Sequence, residues 1–230
     1  MAITNRYDFI MLFDVENGNP NGDPDAGNTP RMDAETGYGY ITDVCLKRKI
    51  RNFVELAKEG ESGYNILVKP DKALNTRFAE AYDAEQLEKG KKGKKADDVK
   101  KARDYMCRNY FDVRAFGAVM STGDNPCGIV RGPVQITFAR SLSQINIEDV
   151  TITRQARTTE DRQETGGTEM GRKSIIPYAL YRAEGYISAA LAQKVTGLSD
   201  DDVELLWDAI VNMFENDHSA ARGKMCMRKL

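Results

Sequence analysis

The 230-residue chain has few of the residues from which metal centres and disulfide frameworks are built. It contains one histidine, His218, and four cysteines that lie far apart, without a CxxC pair. Zinc sites and disulfide frameworks need closely spaced or paired thiols and imidazoles, so neither is expected here. We predict a protein with no bound metal and no cofactor.

The chain also lacks long apolar runs and an excess of either charge. No stretch approaches the ~18 apolar residues of a membrane span, and no apolar signal segment follows the first methionine. We therefore expect a soluble, cytoplasmic protein without a membrane partner. Its 33 basic and 35 acidic residues nearly cancel, so a nucleic-acid-binding function must depend on local cationic clusters.

An alternating strand followed by a turn-rich loop occupies residues 6–31. The aromatic and apolar side chains of Tyr7, Phe9, Met11 and Phe13 share one face, a period of two that predicts a strand at the centre of a sheet. The next residues, NGNPNGDP at positions 17–24, favour turns and leave backbone N–H groups pointing outward. A donor-rich loop carried by a rigid strand is typical of a binding platform.

A helix is predicted from Thr42 to about Lys58, because apolar residues recur there at helical spacing. Four cations crowd the opposite side of its first turns: Lys47, Arg48, Lys49 and Arg51. They form either a solvated helix face or a face that follows the phosphates of a nucleic acid. The sequence leaves both interpretations open.

Two further segments stand apart from the predicted sheet. Residues 71–110 contain two helical stretches around an exposed lysine-rich tip at positions 89–95, which indicates an inserted helical lobe. Residues 147–174 have strand-like ends and a polar middle, which suits a projecting hairpin that grips a partner. Between these segments, Arg114 lies among apolar neighbours and needs either a carboxylate inside the protein or a phosphate outside it.

The remaining pattern predicts the fold class. Strands are expected at residues 64–68, 132–142, 178–190 and 224–230, and Ser199 is expected to cap a helix with an acidic first turn. Without the lobe and the hairpin, the order is βαββαβ, which predicts an α+β protein with a ferredoxin-like or RRM-like sheet. The expected palm comprises residues 1–70, 111–146 and 175–230, with the lobe at 71–110 and a thumb hairpin at 147–174.

Several motifs together carry a resemblance to a known family. They are TDVCLKRKIR at residues 42–51, DVRAFG at 112–117, MGRK at 170–173, SAARG at 219–223 and the NGNPNGDP loop. In this order and spacing the chain resembles the backbone subunit of a type I CRISPR surveillance (Cascade) complex, closest to subtype I-C. Subunits of that family continue beyond the last strand, so we expect this chain to be truncated.

The resemblance implies a non-catalytic, RRM-like subunit of a ribonucleoprotein in antiviral defence. Its copies would form a helical filament along a CRISPR RNA, bind the other Cascade subunits and present the guide for pairing with target DNA. Each thumb would displace one base. The implied RNA-binding residues are Asn17, Asn19, Asn21, Arg31, Lys47, Arg48, Arg51, Arg114, Ser121, Arg154, Arg157, Met170, Arg172 and Lys173.

Three other functions compete with this interpretation. Related backbone subunits of other CRISPR types cut RNA with a loop aspartate, so Asp23, Asp25 or Asp33 could serve a metal-dependent RNase. His218 is the one candidate for a histidine-dependent ribonuclease. The loop also imitates the start of a calcium-binding EF-hand, but its twelfth position is Asn28 where a bidentate Glu belongs.

Overall fold

The computed structural model describes residues 1–90, 95–154 and 169–230. The chain divides into two compact units. The first unit contains Met1–Phe9, Lys47–Thr137 and Glu184–Met213. The second unit contains Ile10–Leu46, Phe138–Ala183 and Phe214–Leu230. Part of the lysine-rich tip, at positions 91–94, lies outside the described residues.

The helices and strands alternate along the chain in an α+β pattern, as the sequence predicts. The helices are α1 (Asp43–Ala57), α2 (Leu74–Ala84), α3 (Ala96–Asn109), α4 (Phe111–Phe116), α5 (Ala189–Leu191) and α6 (Asp200–Asn212). The strands are β1 (Tyr7–Gly18), β2 (Gly22–Asp23), β3 (Thr29–Pro30), β4 (Tyr38–Ile41), β5 (Gly117–Met120), β6 (Gly128–Arg131), β7 (Val134–Ile136), β8 (Ala139–Gln144), β9 (Glu148–Arg154), β10 (Glu169–Ile187) and β11 (Lys224–Lys229). The mixed α+β class is confirmed, whereas the RRM-like assignment stays a prediction.

The second unit is built on a largely antiparallel sheet in the order β11-β1-β10-β8-β4. Strand β1 lies inside this sheet, and the alternation in its sequence corresponds to burial: Met11 and Phe13 are fully buried while Ile10 is exposed. The ring of Phe13 stacks on Tyr181 with centroids 5.9 Å apart and also contacts Phe214. Strand β9 pairs with β10 in an antiparallel hairpin.

The first unit combines helices α2, α3 and α4 with the β5–β6 hairpin. Its core includes Phe78, Tyr82, Met106 and Val113, none of which is more than 1 % exposed. The short strand β7 pairs with the last residues of β10. Helix α6 begins with the predicted cap, since the Ser199 hydroxyl accepts a hydrogen bond from the backbone N–H of its third residue.

Three sequence predictions of local structure were wrong. No strand forms at 64–68, where Asn65 makes only an isolated bridge to Tyr110. The strand predicted at 132–142 is divided into β7 and β8, because the Thr137 hydroxyl accepts the backbone N–H of Glu184 and interrupts the ladder. The third strand begins earlier than predicted and spans Glu169–Ile187.

No helix within the described residues is both long enough and apolar enough to cross a membrane.

Candidate nucleic-acid interface

The turn-rich loop of the second unit is held by its own asparagines. The Asn21 side-chain oxygen accepts hydrogen bonds from the backbone N–H and the hydroxyl of Thr42, at 3.0 and 3.1 Å, which ties the loop to the start of α1. The Asn19 amide nitrogen donates to the backbone oxygen of Asn28 at 2.7 Å. Asn17 is exposed and has a φ of 50°. Asn19 and Asn21 therefore hold the loop in place, whereas Asn17 is exposed to solvent.

We call the turn-rich loop at residues 17–28 the asparagine loop, and the loop at residues 219–223 packs against it. The backbone N–H of Asn19 donates to the Ala221 carbonyl at 2.9 Å. A side chain at Gly18 would place its Cβ 1.9 Å from the backbone oxygen of Arg222, and Gly223 combines a φ of 64° with a Cβ position 2.4 Å from the Asn17 oxygen. Both glycines are needed because two backbones approach each other closely here.

A polar cleft of about 220 Å³ lies between these segments, and we call it the loop cleft. Its walls come from the asparagine loop, the first turn of α1 and the 219–223 loop: Asn19, Pro20, Asn21, Gly22, Asn28, Cys45, Ser219, Ala221 and Arg222. The side-chain oxygen of Asn19 is buried and has no hydrogen-bond partner among the residues that the structure describes. Amides, a hydroxyl and an arginine are groups that bind the sugar and phosphate of a nucleic acid.

The hairpin of β9 and β10 contacts the 219–223 loop through Lys173, whose ammonium donates to the Ala220 carbonyl at 2.7 Å. Arg172 is exposed and lies 4.0 Å from Asp149. Arg154 and Met170 sit near the end of the described ladder, opposite Glu169 and Thr153 respectively. Arg157 lies outside the described residues.

The cationic face of α1, from Lys47 onward, belongs to the first unit. The Lys47 ammonium and the Arg51 guanidinium both lie over the ring of Phe116, at 5.7 and 5.2 Å from its centroid. Arg51 also donates from Nε to the Asp112 carboxylate at 2.8 Å. Arg48 is partly exposed and makes no hydrogen bond or ion pair with a described residue.

Arg114 takes the internal one of its two predicted partners. Its Nε and Nη2 donate to both carboxylate oxygens of Asp202, at 2.8 and 2.7 Å. Its Nη1 donates to three backbone carbonyls, those of residues 63, 107 and 108. Ser121, by contrast, is exposed in the loop after β5.

The carboxylates proposed for a metal-dependent RNase serve as turn formers. Asp23 accepts the backbone N–H of Asp25 and lies 3.4 Å from Arg31. Asp33 accepts the backbone N–H groups of two following residues, and these bonds lower the pKa of its carboxyl. His218 is exposed in the turn before β11.

Some of the predicted residues that the structure describes come together in two groups, one in each unit. The second unit brings together Asn19, Asn21 and Lys173 around the 219–223 loop, and the first unit brings together Lys47 and Arg51. Sequence reasoning assigned no role to Asp112 or Phe116. Their spacing of four residues, which matches that of Lys47 and Arg51, was the available signal.

Comparison with known proteins assigns the chain to a family. A family model described as "CRISPR-associated protein Cas7" matches residues 5–230. A curated protein of that description from Haloferax volcanii is 29% identical over 241 residues, which cover 92% of this chain and 66% of the relative. The chain therefore spans a little less than two thirds of that relative's length.

Solved structures show the same fold at low sequence identity. A chain of a "CRISPR RNA-guided surveillance complex, pre-nicking" aligns with a TM-score of 0.58 at 15% identity, over 95% of this chain and 76% of that one. A chain of the "Type III-B Cmr-beta bound to cognate target RNA" aligns with a TM-score of 0.50 at 12% identity, over 97% and 59%. These likenesses concern the fold.

Proposed function

From the premise that the chain belongs to the family of CRISPR-associated protein Cas7, we propose that it is an RNA-binding backbone subunit of a CRISPR effector complex. The guide RNA is its ligand, and other copies of the chain and the other Cascade subunits are its partners. The subunit is non-catalytic and presents the guide for pairing with target DNA. We also assign it to subtype I-C, on the motifs that carried the resemblance.

One observation carries this proposal: three separate motifs converge on the loop cleft. The 219–223 loop is far in sequence from the asparagine loop and the first turn of α1, yet all three line it. On the hairpin of β9 and β10, which we propose as the thumb, Lys173 donates to the Ala220 carbonyl and so contacts the 219–223 loop. The cleft offers amide, hydroxyl and cationic groups, which suits a sugar–phosphate backbone read without regard to base sequence.

The residues that we propose for RNA contact differ in how exposed their polar groups are. Asn17, Arg48 and Arg172 are exposed or partly exposed and can reach a ligand directly. Arg114 has every side-chain nitrogen engaged inside the protein, so its proposed contribution to RNA binding is to support the fold of the first unit.

The first experiment is size-exclusion chromatography with light scattering of the chain mixed with a CRISPR RNA. We expect a ladder of assemblies whose RNA length per copy is constant. The proposal would be contradicted if the chain stayed monomeric and bound no RNA even after the partner subunits were added.

A matched pair of variants tests the electrostatic part. Replacing Lys47 and Arg48 with Met should weaken binding of every RNA sequence and reduce the slope of log K against log salt by about 1.4, since each phosphate contact on a single strand contributes about 0.7. Replacing Lys100 and Lys101, two exposed lysines of α3, removes the same charge and should leave that slope unchanged. If the two double variants change the slope equally, the α1 cations act only through the net charge of the protein and do not contact RNA phosphates specifically.

A further inference from the structure

Two pairs of side chains with the same helical spacing face each other in the first unit. On α1, Lys47 and Arg51 are four residues apart, and on α4, Asp112 and Phe116 are four residues apart. Residues at this spacing lie on one face of a helix, one turn from each other. The contacts join both pairs: Asp112 accepts from Arg51, and the Phe116 ring lies beneath both cations.

The Asp112 carboxylate is held by the backbone, so it determines where the Arg51 side chain lies. Asp112 is 1 % exposed. One of its oxygens accepts the backbone N–H of Leu67 at 2.8 Å, and the other accepts that of Val68 at 3.1 Å and Nε of Arg51 at 2.8 Å. A carboxylate with three donors in place cannot follow the arginine if the arginine moves. The guanidinium is therefore fixed in both position and direction.

Comparison with Arg114 shows what is unusual about Arg51. Both arginines are buried to a similar degree, with about a tenth of each side chain exposed. Arg114 uses Nε, Nη1 and Nη2 in hydrogen bonds, whereas Arg51 uses only Nε within the described part of the chain. The two terminal nitrogens of Arg51 are left over, and a guanidinium held at Nε presents them as a fork that fits a phosphate or carboxylate group.

Phe116 adds a second positioning contact. Its ring centroid is 5.2 Å from the Arg51 guanidinium carbon and 5.7 Å from the Lys47 ammonium nitrogen. A ring attracts cations over its face, so one side chain holds two positive charges close together. Two cations held close together favour binding of a phosphate group.

We propose that Asp112 and Phe116 are positioning residues that turn Arg51 and Lys47 into a seat for one phosphate group of the bound RNA. Arg51 donates to that phosphate through Nη1 and Nη2, and Lys47 donates through its ammonium. The inference rests on the proposed function and adds to it two residues that act through others. Arg51 recognises the phosphate by its fork, so lysine cannot replace it.

The test measures RNA affinity for three variants that keep the cations or their shape: Arg51→Lys, Phe116→Leu and Asp112→Asn. We expect each to bind a single-stranded CRISPR RNA about tenfold more weakly, the loss of one charge-assisted contact. In an Arg51→Met, Lys47→Met background, Phe116→Leu should have no further effect, because the residues that it positions are gone. An equal effect of Phe116→Leu in both backgrounds would overturn the proposal.

Asp202→Asn is the matched control, because it weakens the other buried ion pair of the same unit. We expect it to lower the melting temperature as Asp112→Asn does, while the affinity of the folded protein for RNA stays unchanged. If Asp112→Asn also left the affinity unchanged, Asp112 would be merely structural and the proposal would fail. Should Asp112→Asn not fold, Arg51→Lys and Phe116→Leu decide the question.

Failure of this inference differs from failure of the proposed function. If the unmodified chain binds no RNA, the proposed function fails with it. If the unmodified chain binds RNA and loses affinity when Lys47 and Arg48 are replaced, yet tolerates Arg51→Lys and Phe116→Leu, then only the phosphate seat is wrong.

Discussion

Removing the Asp202 carboxylate should be among the most destabilising single changes in the first unit. The Asp202→Ala variant leaves the Arg114 charge buried without its carboxylate, and breaking a buried pair in this way costs about 3–5 kcal/mol. The same carboxylate accepts the backbone N–H of Ser199 at the start of α6, and loss of a cap costs up to about 1 kcal/mol more. Against a total stability of about 5–15 kcal/mol, this is a large fraction.

The assay is chemical denaturation followed by tryptophan fluorescence. Trp207, the single tryptophan of the chain, lies on α6 and contacts the rings of Phe9 and Tyr7 at centroid distances of 5.0 and 6.0 Å. Its emission therefore reports unfolding of the unit that contains the ion pair. The control is Asp201→Ala, which removes an exposed carboxylate from the same helix turn and should cost no more than about 1 kcal/mol.

The sign of the coupling gives a stricter test. The double variant Arg114→Met, Asp202→Ala should be more stable than Asp202→Ala, because removing the arginine removes the uncompensated charge. A loss below about 1 kcal/mol for Asp202→Ala, or a double variant less stable than the single one, would refute the argument that this pair matters through burial.

Three further predictions concern other parts of the chain. Burial raises the thiol pKa of Cys107 to about 11 and that of Cys127 to about 12. At pH 8 a thiol reagent should therefore label the partly exposed Cys45 and Cys226 first. Gly223→Ala should cost clearly more than the roughly 1–2 kcal/mol of Gly60→Ala, measured by denaturation, because both have positive φ but only Gly223 faces a backbone oxygen at 2.4 Å. The pKa of the Asp33 carboxyl should lie below the ordinary value of 3.8 in an NMR pH series. Its contribution to stability is therefore present at neutral pH and is lost as the pH falls through that lowered pKa. The same residue tests the RNase alternative, since Mg²⁺-dependent cutting of guide-paired RNA that disappears in Asp33→Ala would make the subunit an enzyme.

Local signals in the sequence predicted the elements that they define. Ser199 followed by three acids predicted the cap of α6, and the apolar stripe after Thr42 predicted α1 to within one residue at each end. The β5–β6 hairpin escaped prediction because residues 117–131 carry no clear alternation. Its pairing depends instead on a close approach of Gly117 and Gly132, where a Cβ would lie 2.4 Å from backbone.

The candidate site could be predicted only as a set of residues. From the sequence, Arg51 and Arg114 were both candidates for binding a phosphate. What separates them is the partner of each, and those partners are distant in sequence: Asp112 is 61 positions from Arg51, and Asp202 is 88 positions from Arg114. A short-range sequence pattern contains no information on such pairs. Only the folded structure shows how many guanidinium nitrogens of each arginine are already used in internal hydrogen bonds.

The loop cleft also sets an order of events during protein synthesis. Its walls come from residues near 20, near 45 and near 220. A nascent chain that has not yet exposed residues 219–223 lacks one wall, so the cleft stays incomplete however well its early segments have folded. Contacts this distant in sequence form late and slowly. The cleft is therefore complete only after residues 219–223 have been synthesised and have packed against the earlier segments.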